Sequence, residues 1–344
     1  MVNIRDIAKA ANVSVSTVSK ALNGYLDINK ETRRRVMKIV VDMDYLPNIM
    51  ASSLITKRTN TIGIFFGDKI NSGFDHPFFN DLINSIKDVA GEEGYDILIF
   101  ANRKKETNSY KTICYERGVD GVILILTGKK RTDKKIYELS ESIPTVHIDS
   151  FIYKKNSVNF VESDNEVAAI EATEHLIKLG HKKILKLAGD KVANATYERI
   201  RGYKKILKKY NLPVEEQLIQ YGEFSKEKAK EVTREFFRKK RDVTAIFASS
   251  DMMAFGAIDA LKELGYRVPE DIAVVGFDDI EMAKLYKPAL TTIHQQGYKM
   301  GEEAAKMLIS IIRDEKNHGA PRNIRIPARL IVRESCGAKL RGNV

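Results

Sequence analysis

Residues 12–24 read Asn12-Val13-Ser14-Val15-Ser16-Thr17-Val18-Ser19-Lys20-Ala21-Leu22-Asn23-Gly24, and the fold of the N-terminal part of the chain turns on them. Ser14 is a good helix cap, Val15–Leu22 then predicts a two-turn helix, and Asn23-Gly24 supplies a left-handed stop. Val18, Ala21 and Leu22 fall on one face, which leaves Val15, Ser16, Thr17, Ser19 and Lys20 outside. A helix that only covers a core would carry Glu and Lys there. Short hydroxyls can instead come close to phosphates or base edges, Val15 can meet a thymine methyl, and Lys20 can reach a guanine edge or a phosphate. The plainer alternative is a solvated Ser/Thr face.

Upstream, Asn3 caps a first helix of about 4–11 with Asp6 in the reciprocal position, and Ile4, Ile7, Ala8 and Ala11 share its inner face. Two short helices separated by a tight turn predict a helix-turn-helix. Downstream, Asn29 caps a third helix running to about Asp44, with Val36, Ile39, Val40 and Met43 inward and Arg33, Arg34 and Arg35 near its start. Pro47 then opens a short helical stretch, and Lys57-Arg58-Thr59-Asn60 reads as an exposed linker. Residues 1–59 hold ten Lys/Arg against five acids, so +5 of the chain's net +11 sits in this first sixth, where a nucleic-acid module would place it.

The 344 residues exceed one typical domain, and 43% hydrophobic content suffices for ordinary cores. The chain opens without a basic stretch followed by an apolar run, and no segment approaches the roughly 18 apolar residues of a membrane span. The expectation is a cytoplasmic protein with no membrane partner. Cys114 and Cys336 have no second Cys or His at metal-ligand spacing, so neither a disulfide framework nor a metal is expected. Phosphate-loop, dinucleotide, zinc-protease and nucleophile-elbow motifs are missing, which argues against an enzyme and implies no cofactor. His147, His181 and His294 read as strand or loop residues.

From Thr61 short apolar strands alternate with helical segments: 61–66, 95–100, 121–126 and 145–149, then 183–187, 244–248 and 271–276. Continuous apolar runs between helices predict parallel, doubly wound sheets covered on both faces. Two such series imply two lobes, with a ligand beyond the carboxyl ends of the strands.

Ile4-Arg5-Asp6-Ile7-Ala8, the run Asn12–Ser19, Leu22-Asn23-Gly24 and Tyr45-Leu46-Pro47-Asn48 closely resemble the headpiece of the lactose-repressor family of bacterial transcriptional regulators. The resemblance extends through Pro77-Phe78-Phe79, Gly118-Val119-Asp120-Gly121, Gly180-His181-Lys182-Lys183-Ile184, Arg199-Ile200-Arg201-Gly202-Tyr203, Ser250–Gly256, Val275-Gly276-Phe277-Asp278-Asp279 and Pro288–Ile293. It implies an all-α headpiece and hinge helix followed by a two-lobed α/β domain like a periplasmic sugar-binding protein, crossed three times by the chain. The domains are then 1–47 (headpiece), 48–59 (hinge helix and linker) and 60–340 (effector binding and dimerisation). Lobe one is expected at about 60–159 and 292–321, lobe two at about 160–291 and 322–340. The implied partners are near-palindromic operator DNA, a second copy of the chain, and a small effector.

DNA contacts are expected from Ser14, Val15, Ser16, Thr17, Ser19, Lys20, Asn23, Asn29, Tyr45, Ala51 and Leu54. By the resemblance, residues 48–56 form a helix on operator DNA and Leu54 wedges into the minor groove. Departures from the family pattern are Val15, where a polar base-reader is common, Ser52 in place of Arg, Ser250 in place of Asn, and a longer loop at 67–76. Effector contacts are expected from Asp75, Phe78, Phe79, Asn102, Asp149, Arg199, Phe224, Asp251 and Asp278, since carboxylates and an Arg fork bind vicinal hydroxyls and aromatic faces cover a sugar ring. Asp251 as a helix cap, Phe78 or Phe79 as core, and Arg199 as a surface ion pair are the alternatives. The expected function is repression of a carbohydrate-utilisation operon with release by a sugar, the alternative being a purine or nucleoside co-repressor.

Overall fold

The first helix begins where its capping box predicts. Asn3 Oδ1 accepts from the Arg5 and Asp6 backbone N–H at 2.9 and 3.3 Å, and Asp6 accepts in return from the Asn3 N–H at 2.9 Å. The computed structural model describes residues 2–22, 25, 27–45, 58–66, 77–100, 109–125, 134–149, 158–239, 242–314 and 320–338. They fold as two units, Met1–Thr59 and Asn60–Val344.

In the first unit α1 (Ile4–Ala11) ends on Asn12 in the left-handed region at φ 51°. α2 (Val15–Leu22) is capped by Ser14, whose Oγ accepts from the Thr17 N–H at 3.0 Å. α3 (Lys30–Asp42) is capped by Asn29, which accepts from the Glu31 N–H at 2.9 Å, and it stops two residues short of the expected Asp44. Ile7, Ala8, Ala11, Val18, Ala21, Val36 and Val40 form the core, with Tyr45 packed against it. The stop at Asn23-Gly24 lies outside the described residues.

The second unit alternates strand and helix. Its elements are β1 (Thr61–Phe66), α4 (Pro77–Glu92), β2 (Asp96–Phe100), α5 (Tyr110–Arg117), β3 (Gly121–Ile125), α6 (Lys134–Ser140), β4 (Thr145–Ile148) and β5 (Asn159–Ser163), then α7 (Asn165–Lys178), β6 (Ile184–Ala188), α8 (Asn194–Lys209), β7 (Ile219–Tyr221) and α9 (Lys226–Arg238). They continue with β8 (Ala245–Ala248), α10 (Asp251–Glu263), β9 (Ala273–Asp278), α11 (Met282–Leu285), β10 (Thr291–His294), α12 (Gly297–Arg313), β11 (Asn323–Ile326) and β12 (Arg329–Ile331). One sheet runs β11-β5-β4-β3-β1-β2, all parallel; the other runs β12-β10-β9-β8-β6-β7 and is parallel except for β12 against β10.

The apolar strands were legible in advance, but β5, β7, β10, β11 and β12 were not. The expected lobe limits suffer for it: residue 160 falls inside β5, 292 inside β10, and 322 one residue ahead of β11. The crossings instead follow Ser163, His294 and Ile326. These strands are three to five residues long, and their place in a sheet is set by the neighbours they find rather than by their own composition. All three crossings leave the carboxyl end of a parallel strand, so the carboxyl edges of both sheets meet between the lobes. α12 returns to the first lobe because Met300, Ala304, Leu308 and Ile312 complete the core around Ile62, Ile64, Ile123 and Val146.

Candidate DNA-reading face and interlobe site

On α2 the inward residues Val18 and Ala21 are fully buried, while Val15 is 41% exposed and Ser16 is open to solvent. Thr17 and Ser19 are half-buried, and the Ser14 and Thr17 hydroxyls lie 2.8 Å apart. Lys20, expected on the outer face, has its Nζ 2.5 Å from Asp27 Oδ2. Asn29 and Tyr45 have work inside the unit, as a cap and as packing. Asn23, Ala51 and Leu54 lie outside the described residues, so the hinge wedge is not placed.

Between the lobes the centre is Arg199, on the second turn of α8 and only 3% exposed. Its Nε donates to Asn165 Oδ1 at 2.8 Å, its Nη1 donates to the Ser249 carbonyl at 2.5 Å, and its guanidinium lies 3.6 Å above the Phe277 ring. This rules out the surface ion-pair alternative. Burial works against its charge; Asp278, Asp149, Glu198 and Asp251 favour it. Asp278, ending β9 at φ 127°, accepts from Gln295 Nε2 at 2.6 Å. Among the described residues the buried Gln295 amide oxygen has no hydrogen-bond partner. Asp149 follows β4 with φ 48°; burial lifts its carboxyl to about 7, Arg199 opposes the rise, and Glu162 and Glu198 add to it.

Phe224 sits in a turn at φ 56° after β7, its ring laid on Gly189 at the end of β6 so closely that a Cβ there would collide with it. Asp251 does not cap α10, since Ser250 does so through the Met253 N–H; it is buried, and its two oxygens accept from Thr292 Oγ1 at 2.5 Å and the Ile280 N–H at 2.9 Å. Burial and the nearby Asp278 raise its carboxyl well above the ordinary range. Phe78 and Phe79 are both core, stacked edge-on to each other and, through Phe79, to Phe66. Asp75 and Asn102 lie outside the described residues.

Several participants were missed. Asn165, the Ser249 carbonyl and Gln295 carry no motif that announces them. Lys186 did carry a signal, a charge inside the apolar run Ile184–Leu187. It is wholly buried, with Nζ 2.8 Å from Ser249 Oγ and 3.4 Å above the Phe247 ring, and burial together with Arg199 pushes its pKa well down. Within the first lobe Arg325 of β11 bonds Glu162 of the neighbouring β5 at 2.9 Å; across the lobes Arg325 approaches Glu198 of α8 at 3.6 Å and Asn194 of α8 donates to Glu162 at 3.3 Å.

Residues 3–48 match the bacterial regulatory proteins of the lacI family, and residues 173–336 match a periplasmic binding protein-like domain. The regulator MalR of Clostridium butyricum is 32% identical over 343 residues, covering 97% of this chain and 99% of that protein. The chain belongs to the lacI family. Among solved structures, the lac repressor dimer bound to operator and the anti-inducer ONPF superposes with a TM-score of 0.82 at 25% identity, over 97% of this chain and 99% of that one. The complex of the regulator CelR with cellobiose gives 0.73 at 29%, over 97% and 100%. This lacI-family chain is therefore a transcriptional repressor with a helix-turn-helix DNA-binding domain, not an enzyme. His147 bonds Ser140 and is held at about 3 by burial, His181 bonds Thr244, and His294 bonds Asp279. Among the described residues no helix is long and apolar enough to cross a membrane.

Proposed function

We propose that this repressor acts as a cytoplasmic dimer on a near-palindromic operator of a carbohydrate-utilisation operon, and that a sugar bound between the lobes releases it. The division of labour is headpiece 1–47, hinge 48–59 and effector domain 60–340, with the outward residues of α2 reading the major groove. The observation that carries the sugar reading is the Arg199 fork, clamped by Asn165 and Ser249, with Asp149, Asp278 and a Gln295 oxygen that is unmatched among the described residues around it. Fixed donors and acceptors of this kind suit vicinal hydroxyls, which give and accept hydrogen bonds at neighbouring atoms. Phe224, on the same carboxyl edge, offers a ring face to the apolar side of a sugar. The CelR–cellobiose complex, similar over almost the whole chain, lends support. Release follows if the sugar prefers the closed cleft and the closed lobes hold the hinges in a poorer position; a coupling of ~1–3 kcal/mol changes operator affinity ~5–150-fold.

The test is thermal unfolding of the full-length protein against mono- and disaccharides, sugar phosphates, nucleosides and purines. A ligand at ~100 times its Kd adds about 2.7 kcal/mol of stability. A sugar is expected to shift the transition, and Arg199→Lys, which keeps the charge but loses the fork, to abolish the shift. A purine as the sole active ligand would replace the sugar by the co-repressor alternative. A sugar shift untouched by Arg199→Lys would remove the assignment of the site.

A further inference from the structure

Lys20 is the cation of the DNA-reading face, standing in the last turn of α2. The chain folds back over that helix end, with the Tyr25 N–H donating to the Lys20 carbonyl at 3.1 Å. This brings Asp27, two residues ahead of the Asn29 cap of α3, to 2.5 Å from the Lys20 ammonium. Both side chains are open to solvent, 43% and 57% exposed, so the pair is a feature of the surface that meets DNA rather than of the core. The other headpiece acids are differently placed: Asp6 closes the α1 capping box, Glu31 lies in the first turn of α3, and Asp42 and Asp44 stand at its far end.

We infer that Asp27 is a selectivity residue, which withholds the Lys20 ammonium from indiscriminate phosphate contact and releases it only to an operator base that can replace the carboxylate. The inference rests on the reading of Lys20 as a DNA contact. Its logic is charge accounting. The bound pair presents no net charge to the polyanion, so on arbitrary DNA Lys20 releases no counterion. To engage a phosphate, Lys20 must give up Asp27, and the bared carboxylate is left facing the phosphates. At a guanine edge, with O6 and N7 side by side, the ammonium regains hydrogen bonds at a place fixed by the base sequence, so the release of Asp27 is offset only where that base stands. The lowered pKa that Lys20 imposes on Asp27 means that the carboxylate is ionised at any pH at which the protein would work.

The experiment uses the full-length protein, Asp27→Asn, Lys20→Met and the double variant. Binding is measured by fluorescence anisotropy over a range of salt concentrations, on a random-sequence duplex and on an operator selected from a random pool. On the random duplex, Asp27→Asn is expected to bind several-fold tighter and to steepen the dependence of log K on log salt by about 0.9, one added phosphate contact. Lys20→Met should leave that slope at the wild-type value, and the double variant should return to it. On the selected operator, Lys20→Met should weaken binding, and Asp27→Asn should narrow the ratio of operator to random affinity. An unchanged slope in Asp27→Asn overturns the inference. So does steepening that survives in the double variant, since the effect would then be removal of a repulsive charge and not release of Lys20. Undiminished operator binding by Lys20→Met overturns the underlying reading of Lys20 instead, and is thereby told apart. Circular dichroism of each variant verifies that the helices persist; Asp27→Ser, smaller and equally neutral, must repeat the Asp27→Asn result.

Discussion

Arg199 and Lys186 lie on one sheet face, over Phe277 and Phe247, and meet at Ser249, the first bonding its carbonyl and the second its hydroxyl. Burying the Lys186 ammonium beside the Arg199 guanidinium costs stability, and burial together with Arg199 drives Lys186 toward its neutral form. The pKa of Lys186 is lowered on folding. Below lysine's ordinary value the unfolded chain therefore holds a proton that the folded one lacks, and stability rises with pH through that window. Lys186→Met should accordingly stabilise the protein at pH 7 by roughly 1–3 kcal/mol, with the gain shrinking as the pH approaches 10. Because Ser249 loses a bond, the sugar response should weaken at the same time. Urea denaturation at pH 6, 7, 8 and 10 checks the first part; a variant less stable than the parent at every pH would show that the ammonium is paired more favourably than its contacts suggest.

The elements that carry the site are held by close approaches that substitutions reveal. α7 and α8 pack so tightly that a Cβ at Gly202 would strike the Glu166 carbonyl and the Ala169 methyl. Gly202 lies three residues beyond Arg199 on the same helix, and Asn165, the Arg199 partner, opens the facing one. Gly202→Ala should therefore cost ~1–3 kcal/mol despite the better helix propensity of Ala, and should loosen effector binding by displacing the Arg199–Asn165 bond. Thermal unfolding with and without the sugar measures both; a stabilised variant would mean that α7 yields more easily than its backbone contact implies. Local reading succeeded for those elements whose signals are contiguous. The Asn3, Ser14 and Asn29 caps all bond as their sequences predict, because a cap needs only the next three residues. It failed for β11, whose sheet partner β5 lies more than 150 positions earlier, and for β10, a strand of only four residues.

In the effector domain as a whole, the three crossings are accompanied by a polar link between lobes. Glu162, 1% exposed in β5, receives Arg325 from its own lobe and Asn194 from the other, and Arg325 also reaches toward Glu198. Arg325→Met would leave two buried carboxylates in mutual repulsion across the hinge, and is expected to shift the sugar concentration for half-maximal operator release by ~5–10-fold, a coupling change of about 1–1.4 kcal/mol. A titration of operator release against the sugar identified by thermal shift reads this directly; an unmoved midpoint would show that the link plays no part in closure. The sequence alone determined the helix-turn-helix, its outward Ser/Thr face, the basic headpiece, the two series of parallel strands and, through its motifs, the lacI-family kinship. Each of those is written in consecutive residues or in composition. Only the tertiary structure decided that Lys20 is held by Asp27, that Asp251 and both phenylalanines of Pro77-Phe78-Phe79 are internal, and that Asp149, Lys186, Arg199, Ser249, Asp278 and Gln295 converge. Burial, proximity and the pKa displacements that follow from them belong to the assembled chain, since they arise between residues that the sequence keeps up to some 150 positions apart.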